Sequence, residues 1–151
     1  MRRSPVRHLY RDPHPTTSLA VPNLARLVWR LRDDTIAHSI TIVHADREGE
    51  GDWALSIAAA RIARKGVKVI GPEPYTVFDT VKYGIQLNAR VIFAGELRRN
   101  EDARALRGAA LLGVRVVGTI TAGQFAEAQM MLRALGPWSD CDVELVSIAL
   151  R

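Results

Sequence analysis

SITIVHADREGEGDWALSIAAARIARKG, residues 39–66, sets a β-branched apolar run against an alanine-rich run and parts them with a glycine-containing loop. In SITIVHA (39–45) the branched side chains suit a pleated strand. ALSIAAARIARKG (54–66) is made of good helix formers and closes on Gly66, a residue suited to ending a helix. The stretch therefore predicts strand, glycine loop, helix.

The same alternation continues downstream. VKVIG (67–71), ARVIFAG (89–95), VRVVGTI (114–120) and CDVELVSIAL (141–150) read as strands. Between them, VFDTVKYGIQL (77–87), NEDARALRGAALLG (100–113) and GQFAEAQMMLRALG (123–136) read as helices. The second of these has an acidic first turn and a terminal glycine, which matches the polarity of the helix dipole. Strands and helices joined by short connections call for a mostly parallel sheet covered on both faces, so the fold class is α/β.

Upstream, Pro5, Pro13, Pro15 and Pro22 punctuate a segment whose Arg2, Arg3, Arg7 and Arg11 meet only one acid, Asp12. Residues 1–22 read as a basic arm, able to reach nucleic acid, an acidic surface or an acidic partner, or simply to aid solubility. Asn23 then caps a helix over 23–33, with Leu24, Leu27, Val28 and Leu31 at helical spacing. That helix leads a single domain spanning 23–151.

Composition narrows the function classes. With 151 residues, 48% of them apolar, the chain encloses one ordinary core. Its lone cysteine, Cys141, rules out an internal disulfide, and the four histidines share no ligand spacing, so no metal cluster is indicated. No apolar run is long enough to span a bilayer and no secretory signal is visible, so a cytoplasmic location is expected. The net charge is +5.

In a parallel sheet, ligands gather at the carboxyl ends of the strands, where helix N-termini present unpaired N–H groups. Those ends here hold HADREGEGDW (44–53), GPEP (71–74), GELRR (95–99) and TITAG (119–123). The stretch from 77 to 132 resembles the core of the secretion and pilus motor ATPases, the family of type II secretion, type IV pilus retraction and type IV secretion ATPases. In that family a strand ending in V-G-E-[LIM]-R-D carries the Walker B glutamate, matched by Gly95, Glu96, Leu97 and Arg98, and a later strand ends in G-T-L-H-T, matched by Gly118 and Thr119. At family spacing, Glu73 and Pro74 fall on the end of an acidic E-D-P box and HADREGEGDW falls on the P-loop. The resemblance, over about 40–134, implies a RecA-like, P-loop-type three-layer sandwich, with Glu96 and Glu73 as catalytic or vestigial carboxylates.

The departures fall on the phosphate loop. In G-x-x-x-x-G-K-[ST] the lysine neutralises phosphate charge and the hydroxyl holds magnesium. Here Asp46 stands for the first glycine, Gly51 for the second, Asp52 for the lysine and Trp53 for the hydroxyl residue. Between Asp46 and Asp52 four carboxylates face one arginine, a formal charge of −3. One like-charge pair at ~4 Å costs about 4 kcal/mol at an effective dielectric near 20. Gly49, Gly51, Asp52 and Trp53 thus form a degenerate phosphate loop, with Trp53 expected to plug the nucleotide pocket or pack on the core. The family histidine is replaced by Thr121, and the aspartate after the Walker B arginine by Arg99.

The expectation is a catalytically impaired ATPase-like protein that serves as a structural or regulatory subunit in a homo- or hetero-oligomeric assembly, with no cofactor. One alternative is an ATP-hydrolysing subunit that uses Glu96, ATP and magnesium with cations supplied by a neighbour. Another starts from DREGE (46–50), which resembles the Toprim domain of type IA topoisomerases and implies magnesium-dependent nucleic-acid chemistry. A third is a nucleic-acid-binding protein acting through the N-terminal arginines.

Overall fold

A computed structural model describes residue 28 and residues 39–64, 66–72, 75–136, 138 and 141–147. The basic arm with Arg2, Arg3, Arg7 and Arg11, and the Glu73–Pro74 pair, lie outside the described residues. So does the leading helix apart from Val28, which is helical and buried.

Strands β1 (Ile40–Ala45), β2 (Val69–Ile70), β3 (Val91–Glu96), β4 (Arg115–Thr121) and β5 (Val143–Ser147) alternate with helices α1 (Glu50–Ala63), α2 (Val77–Gln86), α3 (Asn100–Leu111) and α4 (Phe125–Leu135). The strands form one sheet in the order β2-β3-β4-β1-β5, and every pairing is parallel. This is the α/β architecture that the alternation predicts. Two boundaries differ. VKVIG yields only a two-residue edge strand, ended by Gly71 at φ 86°, where a Cβ would lie 2.1 Å from the Phe93 carbonyl oxygen. Helix α1 begins at Glu50 rather than at Ala54.

Connection direction decides which face each helix covers. From β1 the chain crosses β4 and β3 to the far edge, and every later connection runs back the other way. Right-handed crossovers therefore put α1 on one face and α2, α3 and α4 on the other. The core obeys this. Ala54, Leu55, Ala58 and Ile62 of α1 pack with Val28, Val43, Phe93 and Val117. On the opposite face, Val81 of α2, Leu106 of α3 and Leu132 of α4 pack with Ile42, Ile92, Ile120 and Leu145. Side chains alternate along β1, with Ile40 and Ile42 to one layer and Val43 and Ala45 to the other, so the sheet is apolar on both faces.

Trp138 anchors the link between α4 and β5. It is buried, and its indole N–H donates to the Leu132 carbonyl at 2.7 Å, so the largest side chain in the core keeps its polar atom satisfied.

Candidate functional site

β1 sends its helix to one face and its neighbour β4 sends its own to the other, the arrangement at whose carboxyl ends parallel sheets bind ligands. The loop that follows β1 lies at these ends. Only Asp46–Gly49 bridge Ala45 to α1, and Gly49 closes the turn at φ 86°, a conformation that favours glycine. Gly51, Asp52 and Trp53 consequently lie in the first turn of α1 rather than in a loop. Exposed Asp52 suits that position, since carboxylates are favourable near a helix N-terminus.

The four residues do different things. Gly51 is buried against β4, where a Cβ would meet the Thr119 Cβ and Cγ2 at 2.9 Å; its small size lets the helix sit close to the strand. Trp53 is 49% exposed and does not line the neighbouring cavity, so it neither plugs a pocket nor packs on the core, contrary to the expectation from sequence. Asp52 does line that cavity, together with Ser56 one turn later.

The cavity has a volume of about 660 Å³ and joins the start of α1 to the ends of β2 and β3 and the starts of α2 and α3. Glu96 reaches it by a local irregularity. Phe93 pairs with Val117 but Gly95 with Gly118, so Ala94 is an extra residue in β3 and Gly95 sits at φ 104°. Strict alternation from Phe93, which faces α1, would turn Glu96 to the α2–α3 face. The inserted residue reverses that, pairing Glu96 with Thr119 and bringing it into the cavity with Asp52. Two carboxylates that sequence placed in separate motifs thus share one site.

Basic residues line the same cavity. Arg98 donates from Nη2 to Glu96 Oε1 at 3.4 Å, with the Glu96 side chain 22% exposed. Arg99 turns to Glu101, at 2.8 Å. Of the two adjacent arginines, Arg98 is therefore the one that pairs with Glu96. Buried Asp102 accepts from the backbone N–H groups of Arg98 at 2.8 Å and Arg99 at 3.0 Å, which fixes the turn that carries both guanidinium groups. In the sequence Asp102 belongs to an acidic first turn, and its spacing three residues after Arg99 is the signal of this capping role. Thr76, whose hydroxyl accepts from the Asp79 N–H at 3.0 Å, caps α2 on the far wall.

Beside the cavity, Glu50 is buried and neither carboxylate oxygen has a hydrogen-bond partner among the described residues. Burial raises its pKa first, and the adjacent Asp46 carboxyl raises it further; Arg47, 3.9 Å away, opposes both. Among the described residues, no three His, Cys, Asp or Glu side chains are grouped to hold a metal ion. DREGE therefore does not assemble a magnesium triad of the Toprim kind from the described residues.

His44, the residue before Ala45 and the loop, is tied into the core. Its Nε2 lies 2.8 Å from the Ala122 carbonyl and its Nδ1 2.8 Å from the Ser147 hydroxyl. A carbonyl can only accept, so Nε2 carries the proton. This bridge holds the ends of β1, β4 and β5 together behind the loop.

The solved structure of the Legionella pneumophila ATPase DotB has the same architecture, with a TM-score of 0.55 and 18% identity over 83% of this chain and 42% of that one. The fold is RecA-like, of the P-loop type. This chain spans less than half the length of DotB. No family model and no curated protein matches the sequence. No helix among the described residues is long and apolar enough to cross a membrane.

Proposed function

We propose that this chain is a catalytically impaired protein of the secretion-ATPase kind, acting through binding as a structural or regulatory subunit of a larger assembly. The observation that carries the reading is the meeting of Asp52 with Glu96 in one cavity. Where a P-loop supplies a lysine to phosphate, this site supplies a carboxylate, and its candidate general base is already paired with Arg98. The donor set does not suit a nucleoside triphosphate. Glu50 adds a buried carboxylate at the helix start, and the four-residue connection leaves little backbone to wrap a phosphate. Likeness to DotB supports the fold part of this reading, and the retained core supports a role that needs the fold's surfaces rather than its chemistry.

Calorimetric titration of the purified chain with magnesium-ATP tests it. The expected result is no saturable binding below the millimolar range and no phosphate release above background. Micromolar binding, with hydrolysis abolished by Glu96→Gln, would instead establish the ATP-hydrolysing alternative.

A further inference from the structure

A second concavity lies away from the cavity that holds Asp52 and Glu96, between α2 and α3 on the outer surface of their layer. It has a volume of about 570 Å³ and an apolar floor that includes Val81, Ile85 and Ala109. Phe78 on α2 and Leu112 just past α3 flank it, 50% and 68% exposed. Over the α3 side, Gly108 has nothing within 4 Å of where a Cβ would stand, so another backbone can approach closely. At 1.5 Å per residue, α2 gives the groove a length of roughly 15 Å, enough for about three turns of a docked helix.

Charge selects the occupant. Lys82 lines one wall and Arg104 the other, and neither has an ion-pair or hydrogen-bond partner among the described residues. The one acid on the rim, Glu101, is taken by Arg99 at 2.8 Å. Among the described residues, the groove therefore offers an apolar floor between two cations without an ion-pair partner. Arg2, Arg3, Arg7 and Arg11 give the chain's own arm the same sign, so that arm is repelled. A second copy seated symmetrically would bring Lys82 and Arg104 against their own kind. We infer that the groove between α2 and α3 docks an acidic amphipathic helix of a partner protein, apolar residues on the floor and carboxylates on both flanks facing Lys82 and Arg104.

Fluorescence anisotropy with the full chain tests this, using three labelled peptides of about 14 residues. One has leucine at i, i+3, i+4 and i+7 with glutamate on both flanks; the second has lysine for glutamate; the third scrambles the first. The Leu/Glu peptide is expected to bind saturably and about tenfold more tightly than the other two. The double variant Lys82→Glu/Arg104→Glu changes only exposed side chains and is expected to transfer the preference to the Leu/Lys peptide. Ala105→Trp, which fills the groove, is expected to abolish binding of both. Equal binding of the Leu/Glu and Leu/Lys peptides, or an unchanged preference in the double variant, overturns the proposal. A concentration-dependent dimer of the unmodified chain that the double variant disperses overturns it in favour of a second copy. Binding to phosphatidylglycerol vesicles or to DNA that the double variant alone removes, with no leucine-pattern dependence among the peptides, overturns it in favour of a generic anionic surface.

Discussion

Gly51 on α1 lies so close to Thr119 on β4 that a Cβ on the glycine would stand 2.9 Å from the threonine Cβ. A glycine in sequence beside a phosphate-type loop is thus a packing residue. Gly51→Ala forces the first turn of α1 away from β4 and is expected to cost about 1–3 kcal/mol by overpacking. Gly108→Ala provides the contrast, since nothing lies within 4 Å of its Cβ position. There the gain in helix propensity is expected to stabilise by about 0.5–1 kcal/mol. Denaturant midpoints for both variants decide the matter, and equal shifts would remove the packing explanation.

Glu50 links the loop to pH. Burial and the Asp46 carboxyl raise its pKa in the folded protein above the ordinary 4.5, so between 4.5 and that raised value the folded state holds a proton that the unfolded chain has lost. Stability therefore falls as pH rises through this window and is recovered on acidification toward 4.5. Glu50→Gln removes the buried charge, and the expected outcome is a higher melting temperature than the unmodified protein at pH 7. That advantage should shrink as the pH is lowered toward 4.5 and level off below it, where Glu50 is protonated in both states. Melting curves across this range check the sign; an advantage independent of pH would show that the carboxylate's charge is not the cause.

Much of the fold was legible because period and length carried it. Alternating β-branched and alanine-rich runs specify parallel strands and covering helices, and each helix after α1 falls within a few residues of where its apolar spacing places it. The start of α1 was not legible, because the two glycines around Glu50 read as loop. In the structure Gly49 ends the loop and Gly51 packs inside the helix, a difference set by a tertiary contact with Thr119. The direction of Glu96 was hidden for a related reason. VIFAGE is apolar on both faces, so nothing in its pattern marks Ala94 as an extra residue, and only the pairing with β4 reveals the reversal. The meeting of Asp52 with Glu96 follows from these two features together.

The irregularity at Ala94 and Gly95 makes its own prediction. Gly95 sits at φ 104°, where a side chain is strained even with open space around it. Gly95→Ala is expected to cost about 1–2 kcal/mol, and Gly95→Val more, because a β-branched residue is poorer still in that conformation. Chemical denaturation measures both. Equal stability of all three proteins would mean that the strand relaxes to regular pairing, which would turn Glu96 toward α2 and α3.

Asp102 tests how the basic side of the cavity is held. Its carboxylate accepts from the N–H groups of Arg98 and Arg99, two charge-assisted bonds at the start of α3 that no other described side chain makes. Asp102→Ala leaves both donors at the helix N-terminus without an acceptor, and the expected loss is about 1–2 kcal/mol of stability. Asp102→Asn keeps the shape and one acceptor oxygen, so it is expected to retain part of that stability. Amide hydrogen exchange localises the effect: faster exchange at Arg98 and Arg99 relative to the centre of β3 is expected in the alanine variant. Uniform acceleration over the whole sheet would mean that Asp102 supports the core rather than this turn. The same turn orients Arg98 toward Glu96, so loosening it releases the carboxylate from its 3.4 Å partner. On the proposed reading, Asp102→Ala is expected to leave phosphate release from ATP at background, because Asp52 still lines the cavity.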